Sequence, residues 1–367
     1  MKNSRRSFIK KLGLSGAAIA SGSSFLKGSY TDNYSYQAIK HSSLKGNKVP
    51  MCFLVDDSTP LVHVYWFHKK PVEGKGPFTN DGRLLVKDVP NSFLDRYCDV
   101  VSKYGIAGKI SIVPSPGGMG DIVNGLPGYD KSLITQWLNT AKKRLSDRFD
   151  FSPEMLTHHR ALDLKTGKYS EENESEWSKK QDRTILTPYI IHCLDLLKKA
   201  GIDANGVTSP WSFGKNVENE YVEAMIVAQK EVYNRELSWY FLHTLVREPE
   251  KKPWIALRKD NCTLVSIASN MDDHFWQTID SPQTDTGYIQ SIADNYITAN
   301  GKEGSIINVL NKGGWPVFVT HWQSLYSNGL ETGLKALEEV GKRINTHLKD
   351  KVEWKTCMEI TKLTVGQ

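Results

Sequence analysis

Short apolar runs alternate along this chain with longer segments in which apolar residues recur every three or four positions. The first apolar run, Met51–Val55, is strand-forming throughout and ends directly at Asp56 and Asp57. A run with no polar alternation is typical of a parallel strand buried on both faces. The segment from Asn91 to Tyr104 instead has helical periodicity, and Gly105 ends it. The pattern therefore predicts strands separated by helices.

The same alternation continues to the carboxyl end of the chain. The predicted strands are Met51–Val55, Ile106–Val113, Glu154–Thr157, Gly201–Val207, Leu237–Leu242, Thr263–Ala268, Trp315–Thr320 and Val352–Met358. The predicted helices are 93–104, Ser132–Phe149, Ile185–Ala200, Val217–Tyr233, Tyr288–Thr298 and Leu330–Leu348, with a charged loop at Lys165–Lys180. Seven or so strands separated by helices predict an α/β fold. We expect a single β/α barrel, complete or distorted and seven-stranded, of the glycoside hydrolase or deacetylase type, over residues 49–367.

The amino-terminal segment has the pattern of an export signal. Ser4–Lys10 contains the Arg5-Arg6 pair of a twin-arginine signal, and a small-residue apolar stretch follows it. That stretch is shorter than the ~20 apolar residues of a membrane anchor. We expect residues 1–30 to be a signal peptide and 31–48 a linker. The folded protein would be exported to the periplasm or the extracellular space, with no anchor left after signal removal.

Charge and cysteine content exclude several functional classes. The formal net charge is +6, but the six Lys and Arg residues of positions 1–30 account for all of it, leaving 41 basic and 41 acidic side chains. A balanced surface gives no electrostatic reason to bind nucleic acid or an anionic membrane. The five cysteines are scattered, mostly within apolar runs, and have no Cys-x-x-Cys spacing. They are expected to be buried thiols.

Polar and aromatic residues follow directly on several predicted strands. They are Asp56-Asp57, His158-His159, Ser209-Pro210-Trp211, Asp272-Asp273-His274 and His321-Trp322. The carboxyl ends of parallel strands meet on one face of a barrel, where such folds carry their chemistry. These groups are therefore predicted to form one site.

Within this site, adjacent carboxylates and histidines suggest a metal centre. His159 and Asp163 are four residues apart, so on a helical turn they would share a face. With Asp57 they would form a ligand set for a divalent ion, zinc first, with manganese or nickel as alternatives. His158 is the alternative to His159.

Five segments, in this order, resemble motifs of the polysaccharide deacetylases, the nodulation-protein B homology family of carbohydrate esterases. They are Leu54–Ser58, Tyr104–Ile110, His159–Asp163, Thr208–Trp211 and Val319–His321. The chain departs from the family pattern by a Ser after the Asp pair, an Asp as second ligand and no arginine in the groove motif.

The resemblance implies roles for individual residues. Asp56 would be the catalytic base, Asp57 a metal ligand and His321 the catalytic acid. Predicted contacts to a carbohydrate substrate are Trp211, Asp272, Asp273, His274, Trp276 and Trp322, with His63 and His68 on the long first loop. Tryptophan faces stack well on sugar rings.

The sequence thus predicts an exported, metal-dependent hydrolase that removes an acyl group, most directly acetyl, from a polysaccharide or oligosaccharide. One alternative is a glycoside hydrolase or polysaccharide lyase with a carboxylate pair drawn from Asp56, Asp163, Asp272 and Asp273. Another is a non-catalytic carbohydrate-binding protein, for which the missing arginine is the best argument.

Overall fold

The computed structural model describes residues 48–58, 78–86 and 88–367. The proposed signal peptide, the linker up to residue 47, His63 and His68 lie outside these residues. Among the described residues, no helix is long and apolar enough to cross a membrane.

Eleven strands can be assigned in the described residues. They are β1 (Val49–Ser58), β2 (Gly108–Ile112), β3 (Phe149–Pro153), β4 (Arg160–Asp163), β5 (Lys168–Asn173), β6 (Gly206–Thr208), β7 (Leu237–Phe241), β8 (Trp254–Lys259), β9 (Cys262–Ser266), β10 (Val317–His321) and β11 (Val352–Trp354). One sheet has the order β10-β1-β2-β3, with β11 also on β1, and all its pairs are parallel. A second sheet has the order β6-β7-β9-β8, in which only β8 is antiparallel. Strands β4 and β5 form a separate hairpin.

Helices follow most of the parallel strands, as the alternation predicts. They are α1 (Asn91–Tyr104), α2 (Lys131–Leu145), α3 (Glu174–Ser178), α4 (Arg183–Lys199), α5 (Glu218–Tyr233), α6 (Thr286–Tyr296), α7 (Ser305–Asn311), α8 (Trp322–Tyr326), α9 (Thr332–His347) and α10 (Cys357–Val365). In α1 the periodic apolar residues are buried, and Gly105 ends the helix with φ of 67°. That left-handed conformation favours glycine at the end of a helix.

Strand β1 occupies the centre of the first sheet. Met51–Val55 has no exposed surface, in agreement with the sequence prediction of a fully buried strand. Its neighbours β2 and β10 run in the same direction, so the carboxyl ends of all three strands lie together. In particular, Asp56 is paired in register with His321.

The architecture is mixed α/β with mostly parallel sheets, as expected for the fold class. The two larger sheets are joined by single parallel bridges, Phe151 to Ala204, Glu154 to Thr208 and Met271 to Phe318. Among the described residues the strands do not form one continuously paired, closed sheet. The barrel itself is therefore not confirmed.

Several boundaries differ from the sequence prediction. The strand predicted at Glu154–Thr157 lies earlier, at Phe149–Pro153, because α2 ends at Leu145. The helical turn expected at 159–163 is wrong, since these residues enter the hairpin of β4 and β5.

Near the carboxyl end, the predicted strand Val352–Met358 stops at Trp354 and is followed by α10. Helix α10 begins at a capping box formed by Thr356 and Glu359. Such a box satisfies two free amides and favours a helix start. The five cysteines are buried and free, as predicted.

Candidate active site

The adjacent carboxylates at the end of β1 point to different partners. The register between β1 and β2 shifts between Val55 and Ser58, and Asp57 has a left-handed φ of 59°. This irregularity interrupts the pairing of β1 with β2 at Asp56 and Asp57. The peptide N–H of Asp57 donates to Glu154 Oε2 at 2.6 Å.

Asp57, Glu154 and His158 form a compact cluster. His158 Nε2 lies 2.6 Å from Asp57 Oδ1 and 3.3 Å from Glu154 Oε1. One potential ligand atom from each residue lies within 4.8 Å of the other two. Ser111 Oγ donates to Glu154 Oε2 at 2.6 Å and so fixes the second oxygen of that carboxylate.

The three ionisable side chains of this cluster are buried close together, and each shifts the pKa of the others. Burial and the charges of Asp56 and Asp57 raise the pKa of Glu154 to about 7. Burial opposes protonation of His158, but the charges of Asp57 and Glu154 outweigh it, and its pKa is raised well above the usual value. Burial raises the pKa of Asp57, but the charge and hydrogen bond of His158 outweigh it and leave that pKa lowered.

This donor set fits a divalent cation. Two carboxylates and one imidazole are ligands that zinc accepts, and manganese or nickel accept them too. Without a bound ion, the raised pKa of His158 favours a positive charge beside the two carboxylates. A bound ion would supply that positive charge and use the same three side chains.

Asp56 is held by a buried lysine. Lys109, on β2, has no exposed surface, and its Nζ forms an ion pair with Asp56 Oδ1. The same nitrogen lies 5.1 Å from the ring centroid of Phe241, and Ser111 Oγ lies 3.4 Å from Asp56 Oδ1. The proposed base is therefore fixed at one oxygen.

His321, at the end of β10, is oriented by Asp273. His321 Nδ1 lies 2.8 Å from Asp273 Oδ2, and Thr320 Oγ1 donates to the other oxygen at 3.0 Å. Burial lowers the pKa of His321, but the hydrogen bond to Asp273 and the charge of Asp57 outweigh it and raise the pKa to about 9. The imidazole is thus protonated at neutral pH in the metal-free protein.

Helix α8, which follows His321 directly, contributes one more contact. Gln323 is buried, and its Nε2 donates to Asp57 Oδ2. The neighbouring Trp322 was predicted to contact substrate, but this is wrong. Its side chain is 1% exposed and packs against Phe93 and Tyr97 in the core.

The structure does not bring the other two predicted metal ligands to Asp57. Asp163 is exposed and accepts the peptide N–H groups of Lys165 and Thr166 in the hairpin turn. The peptide N–H of His159 donates to Thr157 Oγ1. Within the described residues, His158, the alternative histidine, is the one that meets Asp57.

The remaining predicted substrate contacts lie on loops at the same strand ends. Trp211 is 42% exposed, and its ring meets the ring of His158 edge to face at a centroid distance of 4.6 Å. Trp276 makes the equivalent contact with His321 at 4.7 Å. Asp272 is exposed, and the ring of His274 packs against Tyr296.

Several residues of this site, among them Glu154, Lys109, Ser111 and Gln323, were not predicted from the sequence. Glu154 lies in the predicted strand Glu154–Thr157, and it stands four residues before His158, the same spacing as between His159 and Asp163. Lys109 offered a signal as well, because a lysine inside the apolar run Ile106–Val113 implies a buried partner. Gln323 gave none.

Comparisons with known proteins leave the family open. No family model matches the chain, and no curated protein matches it. Similar solved structures include a protein named as a polysaccharide deacetylase from Mycobacterium smegmatis, with 12% identity and a TM-score of 0.47, covering 85% of this chain and 88% of that chain.

Two other solved structures are more distant. A 4-alpha-glucanotransferase from Thermococcus litoralis has 10% identity and a TM-score of 0.43, covering 85% of this chain and 40% of that chain. A CE4 family pseudoenzyme from Bacillus anthracis has 9% identity and a TM-score of 0.35, covering 86% and 66%. Similarities at this level identify neither a fold nor an activity. The function of this chain is therefore inferred from its own geometry.

Proposed function

We propose that this chain is an exported, metal-dependent hydrolase that removes an acyl group, most directly acetyl, from a polysaccharide or oligosaccharide. One observation supports it above the others. The donor set of Asp57, Glu154 and His158 lies at the same strand ends as Asp56 and His321, which are suited to a base and an acid. We further propose that the single bridges between the two sheets close seven strands into a distorted barrel around this site.

Zinc is the proposed ion, held by Asp57, Glu154 and His158. When bound, such an ion lowers the pKa of a coordinated water and polarises a carbonyl group. Gln323 donates to the second oxygen of Asp57 and Ser111 to Glu154, so both carboxylates are fixed before an ion arrives. Fixed outer contacts of this kind orient ligands.

Asp56 would act as the general base. Its contacts to Lys109 and Ser111 both fall on Oδ1, so the proton of the attacking water would be taken at Oδ2. Lys109 holds the carboxylate in place through this ion pair.

His321 would act as the general acid. Asp273 accepts from Nδ1, which assigns the proton donor role to Nε2. A base that acts ionised and an acid that acts protonated predict a bell-shaped rate against pH, with the alkaline limb from His321.

A carbohydrate substrate is supported by the two tryptophans beside the site. Trp211 touches the proposed ligand His158, and Trp276 touches the proposed acid His321. Aromatic rings at these places offer surfaces on which sugars pack. The carboxylate pair of the glycosidase alternative has less support, because Asp163 and Asp272 are exposed.

The test uses zinc-loaded protein with acetylated chitin oligosaccharides and acetylated xylan. We expect release of acetate with the sugar chain intact, as shown by mass spectrometry. Asp57→Asn should lose the ion and the activity. Asp163→Asn is the matched control and should keep both, because that carboxylate binds only its own turn.

Three results would contradict this proposal. Shortened chains that keep their acetyl groups would indicate glycosidic cleavage. Binding of these glycans without any product would indicate a carbohydrate-binding protein. Absence of a divalent ion in wild-type protein supplied with zinc would remove the metal-dependent mechanism.

A further inference from the structure

Glu174, the first residue of α3, is a fully buried carboxylate that the mechanism above does not use. It has no exposed surface. Its Oε1 accepts the peptide N–H groups of Leu156 at 3.1 Å and Thr157 at 3.0 Å, and the hydroxyl of Tyr189 at 2.6 Å. Its Oε2 accepts the peptide N–H of His158 at 2.7 Å.

These contacts enclose the turn that carries the proposed ligand His158. Three consecutive peptide N–H groups point at one carboxylate, and the N–H of Glu174 itself donates to the carbonyl of His159 at 2.7 Å. His158 has a left-handed φ of 53°, which is strained for a residue with a side chain. A conformation of this kind persists only where the surroundings fix it.

We propose that Glu174 is a positioning residue, which fixes the backbone of His158 so that its imidazole meets Asp57 and Glu154. The step to metal binding rests on the function proposed above. The step to backbone position does not, because it concerns hydrogen bonds within the protein alone.

The two oxygens of Glu174 make the substitution Glu174→Gln selective. Among the described residues, Oε1 accepts from three donors and Oε2 accepts from the N–H of His158 alone. A glutamine would place its carbonyl oxygen where three donors converge and its NH₂ group against the N–H of His158. The NH₂ group and the peptide N–H of His158 are both donors, so the hydrogen bond between them would be lost. The backbone of His158 would then no longer be fixed from this side.

Two measurements test the inference on the protein from which only the proposed signal peptide has been removed. Hydrogen exchange, followed by mass spectrometry without metal, reports the amides of residues 156–158. Competition with a chelator gives the zinc Kd. In Glu174→Gln we expect exchange about tenfold faster or more, and a zinc Kd raised about 10- to 100-fold, as for other residues that orient metal ligands.

Asp150→Asn is the matched control. Asp150 lies at the other end of β3 and accepts the N–H of Met358 at 2.5 Å and the amide of Asn205 at 2.7 Å. It therefore has the same kind of bond without contact to the turn. We expect this variant to lose some stability and to leave both readouts at the wild-type values.

Unchanged exchange at residues 156–158 in Glu174→Gln would overturn the inference, and so would equal changes in Asp150→Asn. Should Glu174→Gln fail to fold, Tyr189→Phe removes only one of the four donors and is expected to raise the zinc Kd about tenfold. An unchanged Kd in that variant would again overturn it. If wild-type protein binds no zinc, the proposed function fails, while the exchange result still decides whether Glu174 fixes this backbone.

Discussion

The buried ion pair of Lys109 and Asp56 gives the most direct test of the site's construction. Lys109 has no exposed surface, and Asp56 is 6% exposed. Their ion pair joins β2 to the end of β1. We consider the substitution Lys109→Met, which keeps the length of the side chain and removes its charge.

The expected cost follows from this burial. Removing one partner of a buried ion pair leaves the other charge without compensation, which typically costs about 3–5 kcal/mol of stability. Loss of the contact between Lys109 Nζ and the Phe241 ring would lower the stability further. We therefore expect Lys109→Met to lower the free energy of unfolding by about 3–5 kcal/mol.

Urea unfolding of metal-free protein at pH 7 measures this change. Lys103→Met is the matched control, because Lys103 forms an ion pair with Glu338 on the surface, with 62% of its side chain exposed. Water screens such a pair, so the control should change the free energy of unfolding little.

A second substitution separates lost charge compensation from lost packing. The double variant Lys109→Met with Asp56→Leu keeps neither charge of this pair, and replacement of a buried pair by apolar residues is often neutral. We expect most of the stability to return. A single variant as stable as wild type, or a double variant less stable than Lys109→Met, would refute the reasoning.

Four further predictions concern the metal, the acid and export. His158→Ala should raise the zinc Kd by more than about 100-fold, beyond the loss typical of residues that only orient ligands, whereas His159→Ala should leave it unchanged in the same chelator competition. His321→Ala should lower kcat about 100- to 10,000-fold and remove the alkaline limb of the pH–rate profile, with zinc content unchanged. The folded-state pKa of His321 is raised from 6.5 to about 9, so the stabilisation that its charge gives metal-free protein is full below pH 6.5 and is lost as pH rises to about 9; the difference in Tm between wild type and His321→Ala should shrink over that range. Replacement of Arg5 and Arg6 by lysine should retain the protein in the cytoplasm, as judged by fractionation.

The order of strands and helices could be predicted because burial imposes different patterns on them. Met51–Val55 has no exposed surface, and so uniform a run is typical of a strand covered on both faces. Strand β5 and helix α3, which lie within the predicted charged loop Lys165–Lys180, were missed, and so were strand β8 and helices α7 and α8. Strand β8 is half-buried at the edge of its sheet, and α7 has only seven residues, so neither has a distinct pattern.

The gathering of polar residues at strand ends was predictable as well. It follows from parallel pairing, which places Asp56 opposite His321 in register. The partners that fix these residues were not predictable, since Lys109 and Gln323 reach them from positions set by packing. An ion pair or hydrogen bond between distant segments produces no regular spacing that could be recognised in the sequence.

The choice between His158 and His159 shows where sequence reasoning stops. Side chains alternate along an extended segment, so an assignment depends on where the strand ends. Here β3 ends at Pro153, and the chain then takes a left-handed conformation at Met155 and again at His158. Each of these turns breaks the alternation. The side chain that reaches Asp57 is therefore decided by the hydrogen bonds that hold the turn, and these come from Glu174, sixteen residues further along the chain.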